Sequence, residues 1–254
     1  MSEAVAIYVL WLREMKRFLR AKSRVIGTLA MPVFFLAFLA LGFNRVSLPN
    51  VPPGVTYLQY LVPGILGMTL LFSSTFTGLS VLWDREFGFL KEIMVAPVRR
   101  VSIVLGRIAG GSTTSMIQGT MILFISLFMG FAPASLWGVA ASVVFMLLIS
   151  FTFISIGLIC ASNMHDIHGF TMVMNFLVFP LFLLSGALFP VENLPAWVRV
   201  FSYLDPLTYG VDGLRYSLIG MSAFSPIADF AVLGVSCLAM LFLGAYLFET
   251  TEVN

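Results

Sequence analysis

Six long apolar stretches, each nearly free of charged residues, constrain the fold of this chain more than any other feature. They cover about 25–43, 57–83, 108–131, 136–161, 169–189 and 226–248. A helix needs about 20 mainly apolar residues to cross the hydrocarbon core of a bilayer, and six such helices use most of the 254 residues. We therefore expect an all-α polytopic membrane protein with six transmembrane helices, in which residues 1–254 form a single transmembrane domain.

The composition excludes a water-soluble globular fold. Hydrophobic residues make up 59% of the chain and charged residues only 10%, whereas soluble domains average about 25% charged residues. The basic residues are also too few and too scattered to indicate nucleic-acid binding.

The distribution of Lys and Arg predicts the orientation in the membrane, because cytoplasmic loops carry an excess of these residues. The segment before the first stretch and the connection after the second carry 11 of the 14 basic residues. These are Arg13, Lys16, Arg17, Arg20, Lys22 and Arg24, followed by Arg85, Lys91, Arg99, Arg100 and Arg107. We therefore expect both termini in the cytoplasm and a location in the cell inner membrane.

Residues 1–24 form a predicted basic amphipathic helix. At helical spacing, one face carries Ala4, Tyr8, Trp11, Met15, Phe18 and Leu19, and the opposite face carries Arg13, Lys16, Arg17, Arg20 and Arg24. Such a helix lies in the interface of an anionic membrane leaflet. A docking surface for a cytoplasmic partner is compatible with this interpretation.

A second amphipathic helix is predicted at about 84–95, between the second and third spans. Apolar side chains recur at helical spacing at Trp83, Phe87, Leu90 and Met94. Asp84 is placed to cap the start of the helix, and Pro97 ends it. Two interpretations stay open: a loop helix that rests on the membrane, or a lever that a cytoplasmic protein pushes.

Two further short helices are predicted at about 190–222, before the last span. Asp205-Pro206 separates them, and the second, at about Leu207 to Leu218, would pair Asp212 with Arg215 at i,i+3. So much apolar surface outside a full span suggests re-entrant helices that are shielded by protein. The alternative is a folded external loop that lies on the membrane interface.

The sequence gives little support for catalysis, metal binding or ion-coupled transport. The two histidines, His165 and His168, lie in a short loop without a further ligand cluster, so a solvated loop is favoured over a metal site. Neither a serine–histidine arrangement nor His-Glu-x-x-His lies within a span, which disfavours an intramembrane hydrolase. A secondary transporter or channel is disfavoured because no ionisable residue lies near the centre of a predicted span.

Two motifs resemble those of the permease subunits of type 2 ABC exporters, the group that includes daunorubicin-resistance and Nod-factor export permeases. The first, after the second span, comprises Arg85, Glu86, Phe87, Gly88, Phe89, Leu90, Lys91 and Glu92, and it ends in Pro97-Val98-Arg99. The second, after the fifth span, comprises Gly186, Pro190, Leu194, Pro195, Trp197, Asp205, Pro206 and Arg215. The match covers essentially the whole chain, and it differs at Phe89-Leu90-Lys91, where many members have a small or hydroxyl residue followed by Leu-Glu.

The resemblance implies a half-transporter without enzymatic activity of its own. It implies a coupling helix at about 84–95 that contacts an ATPase, a separate ABC ATPase subunit in two copies that binds ATP and Mg, and a second permease copy as homodimer or paralogous heterodimer. The residues support a separate ATPase independently, because a phosphate-binding loop needs a Gly-Lys pair. Lys16, Lys22 and Lys91 each follow a residue other than glycine.

The substrate class stays open at this level. An uncharged lining suits amphipathic drugs, lipids and lipid-linked glycans about equally well. The sequence after the fifth span resembles drug-resistance members slightly more than (poly)saccharide or lipooligosaccharide exporters.

Overall fold

The computed structural model describes residues 3–43, 51–52, 54–88, 99–164 and 166–250, without the side chains of Arg24, Arg100 and residues 248–250. Within these residues the chain is helical and contains no strand. The helices are α1 (Glu3–Arg20), α2 (Lys22–Gly42), α3 (Tyr57–Thr75), α4 (Leu79–Glu86), α5 (Arg100–Phe128), α6 (Leu136–Asn163), α7 (Ile167–Leu184), α8 (Ala196–Leu204), α9 (Pro206–Ile219) and α10 (Pro226–Thr250).

Six helical segments are long and apolar enough to cross a membrane, which confirms the predicted all-α fold and number of spans. They are Val25–Gly42, Tyr57–Glu86, Val101–Phe128, Leu136–Asn163, Ile167–Leu184 and Pro226–Leu247. The second span comprises α3, a 3₁₀ turn at Phe76–Gly78 and α4. Helix α5 begins about eight residues before the predicted third span and therefore includes Arg107, whereas α7 ends five residues before the predicted end of the fifth span, at Leu184.

Polar residues at the helix ends explain where several helices begin. Thr56 and Gln59 form a capping box at the start of α3, and Ser135 caps α6 through the backbone N–H of Gly138. Asp205 caps α9, whose first residue is Pro206. The predicted break at Asp205-Pro206 is therefore present.

The second span forms the centre of the bundle. In the most apolar 18-residue part of this span 78% of the residues are buried. The corresponding fraction is 17% in the first and last spans and 22% in the fifth. Close backbone contact holds it against α6: a Cβ on Gly78 would collide with the carbonyl oxygen of Gly157, and one on Gly157 with that of Thr75. Only glycine permits this approach.

The alternating directions of the spans gather the connections at two ends. We call the end with α1, Asp84–Gly88, Arg99–Arg107, Met164 and Asp166 the basic end. The end with Gly186 to Ser225 is the opposite end. Contacts across each end support this arrangement, since Arg85 donates to the carbonyl oxygen of Met164 (3.0 Å) and Tyr60 donates to that of Gly186 (3.0 Å).

Candidate functional site

Helix α1 packs along the first half of α5 at the basic end. Contacts advance along both helices in the same direction, from Glu3 and Ser102 (2.6 Å between side-chain oxygens) to the Trp11 indole and Thr113 hydroxyl (3.0 Å). The Ser102 hydroxyl, which donates to Glu3, lowers the pKa of that carboxyl. Trp11 belongs to the predicted apolar face, which thus contacts the bundle in part.

A buried carboxylate joins α1, α4 and α5. The Asp84 oxygens accept hydrogen bonds from Arg13 at 2.6 and 3.0 Å and from Arg107 at 2.7 Å. The side chains of Asp84 and Arg107 are only 7% and 5% exposed, and Arg107 also contacts the Ser80 hydroxyl at 3.4 Å. We call Arg13, Asp84 and Arg107 the Asp84 cluster.

The sequence predicted that Asp84 caps the start of a helix, and the structure shows a different role for it. Asp84 lies in the last turn of α4, inside a helix, and does not cap the start of one. Its carboxylate accepts hydrogen bonds from two guanidinium groups, and Arg17 approaches it at 4.0 Å. The buried pair of Asp84 with Arg107 also explains why α5 begins before residue 108: the ion pair allows a cation to enter the helical bundle.

The length of the spans places the Asp84 cluster near the membrane surface. The second span has 30 residues, or about 45 Å of helix at 1.5 Å per residue, against a hydrocarbon core of about 30 Å. About 15 Å of helix remains for the interfaces, and Asp84 to Glu86 form its last turn. This position reconciles buried charges with a membrane helix.

The first predicted motif begins on this braced helix end. Arg85 and Glu86 complete α4, Phe87 is its C-terminal cap residue, and Gly88 adopts a positive φ of 75°. Phe87 is 82% exposed. The remaining residues of the predicted coupling helix, Phe89 to Glu92 among them, lie outside the described residues.

An exposed aromatic side chain on a rigid helix end is suited to protein binding. Buried aromatic anchors carry much of the binding energy at interfaces, and helix α4 is fixed on one side by Arg13 and on the other by Arg107. Arg85 extends the fixation to the α6–α7 connection through Met164. There, Asp166 caps α7, and the backbone N–H groups of Gly169 and His168 lower the pKa of its carboxyl.

In the second predicted motif, one backbone oxygen links residues from different segments at the opposite end. The Gly186 carbonyl accepts hydrogen bonds from Tyr60 and from Arg215, both at 3.0 Å. The Arg215 guanidinium also stacks on the Tyr60 ring at 3.9 Å from its centroid. The turn requires glycine, because φ is +72° and an added Cβ would lie 2.7 Å from Val191 Cγ2.

The predicted pair of Asp212 and Arg215 is present at 3.8 Å. The Asp212 carboxylate also accepts the backbone N–H groups of Ala223 and Phe224 at 2.9 Å, which fixes the connection to α10. Asp205 accepts from the Leu207 N–H at 2.9 Å, and burial raises the pKa of its carboxyl to about 8. These contacts assign Asp205, Asp212 and Arg215 to the architecture of this end.

The rest of the second motif forms the surface of the opposite end. Pro190 and Leu194 flank a 3₁₀ turn at Val191–Asn193, and Pro195 precedes α8. Trp197, on α8, is 73% exposed and takes no part in the buried hydrogen bonds of Gly186 and Arg215 described above. Helices α8 and α9 lie where two short helices were predicted; that they are re-entrant stays a prediction.

Sequence reasoning missed Arg13 and Arg107 as partners of Asp84. It also missed Tyr60 as a partner of Gly186 and Arg215. The sequence contains a signal for Arg107. This residue directly precedes an apolar run, and a cation at the end of a span needs a counter-charge. None of the groups of His, Cys, Asp and Glu within the described ranges could hold a metal ion.

Comparisons with known proteins find membrane transport permeases that are similar to this chain. A family model described as ABC-2 type transporter matches residues 5–219. The inner membrane transport permease YadH of Escherichia coli K12 is 26% identical over 92% of this chain and 91% of its own. The putative transport permease ycf38 of Cyanophora paradoxa is 31% identical over 78% and 70%. Nodulation protein J of Sinorhizobium fredii is 27% identical over 78% and 75%.

Proposed function

This chain belongs to the ABC-2 type transporter family, a family of membrane transport permeases, and from that membership we propose that it is the permease subunit of an ATP-driven exporter. A separate ABC ATPase supplies the energy and binds ATP and Mg. The permease moves an amphipathic substrate, such as a drug, a lipid or a lipid-linked glycan, out of the cytoplasm. Both termini and the basic end face the cytoplasm.

The exposed Phe87 on the braced end of α4 carries the proposal that the ATPase docks at the basic end. A soluble ATPase transmits its movement only through an element that resists bending. Asp84, one turn before Phe87, ties α4 to both α1 and α5 at 2.6 and 2.7 Å. A push on Phe87 therefore moves three helices together.

Two copies of the permease form the complete transporter in this proposal. Six spans are too few to enclose a wide path, and three of them are poorly buried in a single copy, with 17 to 22% of the most apolar 18-residue part buried. Lipid covers part of this apolar surface, and the second copy covers the rest. The partner is a homodimeric copy or a paralogous permease.

The test is a pair of matched phenylalanine variants in the complex of the permease with its ABC ATPase. Phe87→Ala removes the exposed ring at the basic end, and Phe128→Ala removes a similarly exposed ring, 79% against 82%, at the opposite end of α5. We expect Phe87→Ala to weaken co-purification of the ATPase or its stimulation by substrate by about tenfold or more, as expected for an aromatic anchor, with Phe128→Ala near wild type.

Native mass spectrometry of the wild-type complex reports the stoichiometry, with two permease and two ATPase chains expected. Equal behaviour of the two phenylalanine variants would remove the docking role from Phe87. A transport-competent complex with one permease chain would remove the dimer.

A further inference from the structure

A cavity of about 310 Å³ lies between α1, α2, the second span and α5, beside the Asp84 cluster. Its volume is at the lower end of the range for small-molecule sites. None of the contacts described above at the two ends fills this cavity.

The cavity has the length and lining of a site for an apolar chain. It follows the second span from Leu79 back to Met68, which is about 16 Å of helix and about half of the hydrocarbon thickness. Apolar side chains form much of the wall at Val25, Met31, Pro32, Phe72 and Phe76. Thr69 and Thr114 also line it, but their hydroxyls donate to the carbonyl oxygens of Ile65 and Gly111 in their own helices.

Among the buried polar groups that line the cavity, the side-chain oxygen of Gln118 has no partner within the described residues. Gln118 is 6% exposed, lines the cavity, and its side-chain oxygen has no hydrogen-bond partner. Such a group costs free energy unless something binds to it. Because Gln118 lies eleven residues along α5 from Arg107, it is about 16 Å from the basic end. A hydroxyl of a ligand can donate a hydrogen bond to this oxygen.

The side of the cavity next to Arg17 of α1 and to Ala21, which we call its mouth, is basic. Arg17 and Ala21 line both the cavity and a shallow depression on α1. The depression adds Lys16 and Arg20 to the cations near the mouth, and Glu14 is the acidic residue in the lining. Arg13 also lines the depression, but it is paired with Asp84, and Arg17 approaches the same carboxylate at 4.0 Å. Lys16 and Arg20 still exceed the single charge of Glu14, which favours an anion, and arginine suits carboxylate and phosphate groups in particular.

We propose that this cavity binds an anionic amphiphile that carries a hydroxyl on its apolar body. The anionic group lies against Lys16, Arg17 and Arg20, the apolar body lies between Met68 and Phe76, and the hydroxyl contacts Gln118. The ligand is either a resident lipid of the same leaflet or the transported molecule. Only the second source rests on the proposed export function.

The test uses three probes on the purified permease in phosphatidylcholine nanodiscs. They are a photoreactive ω-hydroxy fatty acid, the same acid without the hydroxyl, and the methyl ester of the hydroxy acid. After irradiation, labelled peptides are mapped by mass spectrometry. We expect labelling by the hydroxy acid within 25–32, 68–79 and 114–118, about fivefold weaker labelling without the hydroxyl, and about tenfold weaker labelling by the ester.

Variants separate specific binding from partition into lipid. Thr69→Trp fills the cavity and should abolish labelling, whereas Thr120→Trp places the same side chain on an exposed position of α5 and should not. Gln118→Leu keeps the size of the side chain and should remove the difference between the acids with and without the hydroxyl. Equal labelling of Thr69→Trp and Thr120→Trp, or an unchanged hydroxyl preference in Gln118→Leu, would overturn the site.

A second measurement identifies the source of the ligand. ATP-dependent movement of the hydroxy acid across vesicles that contain the permease and its ATPase identifies a substrate. Binding without movement, together with an anionic lipid that co-purifies with Thr120→Trp but not with Thr69→Trp, identifies a resident lipid; both results support the site. Failure of export with labelling intact excludes the hydroxy acid as a transported molecule and leaves the site in place.

Discussion

At the scale of single residues, Asp84 is the side chain whose loss should cost most. Asp84→Asn leaves Arg107 buried without its counter-charge, and breaking a buried pair in this way costs about 3 kcal/mol or more. Glu86→Gln is the matched control, because Glu86 is exposed two residues along the same helix. Thermal unfolding of the purified permease in one detergent should show a large loss of stability for Asp84→Asn only; similar melting of the two variants would contradict the role of the ion pair.

Gly186 gives a second prediction at this scale. Gly186→Ala forces an L-residue into a left-handed conformation, at about 1–2 kcal/mol, and places its Cβ against Val191. Gly234→Ala is the control, since nothing lies within 4 Å of its Cβ position and alanine favours a helix. We expect a lower melting temperature for Gly186→Ala and an unchanged or higher one for Gly234→Ala, and a stable Gly186→Ala would show that the turn tolerates a side chain.

Sequence patterns reached only part of this residue-level detail. The pair of Asp212 with Arg215 was predictable because it is local, at i,i+3. The partners of Asp84 were not, since Arg107 lies 23 residues away in the sequence, on a different helix. Gly186 was predicted within a motif, but its function depends on a backbone oxygen, which no side-chain pattern reports.

At the scale of elements, α1 should behave as part of the bundle. Position 106 of α5 faces Leu10, whose Cβ would lie 2.8 Å from a Cβ on Gly106. Gly106→Val should therefore displace α1 by overpacking, at about 1–3 kcal/mol, and speed tryptic cleavage at Arg13 to Arg20 by about fivefold or more. Gly234→Val, in an uncrowded position, should leave cleavage unchanged; equal rates would mean that α1 is not held by this contact.

The elements themselves were the most predictable level. Apolar runs of about 20 residues determine spans with little ambiguity, because the bilayer fixes their length. The start of α5 was misplaced because Arg107 looks like a loop residue until its ion pair is known. The amphipathic pattern of α1 indicated its helix, but the same pattern fits a membrane surface and a protein surface.

At the scale of the whole molecule, the lopsided distribution of Lys and Arg predicts the orientation. In a background with Cys160 and Cys237 replaced by alanine, Asn50→Cys and Val200→Cys should react with an impermeant thiol reagent added to intact cells. Leu90→Cys should react only after the cells are opened. Labelling of position 90 in sealed cells, with 50 and 200 protected, would reverse the orientation.

The two ends of the bundle become complete at different times during synthesis. The Asp84 cluster needs only the first 107 residues, whereas the Gly186 carbonyl must wait for Arg215. At about 5–20 residues per second, the 108 residues between positions 107 and 215 take about 5–20 s. During this interval Tyr60 is already inserted without its later neighbour, so a ribosome that stalls before codon 215 leaves a chain with one end assembled and the other unlatched.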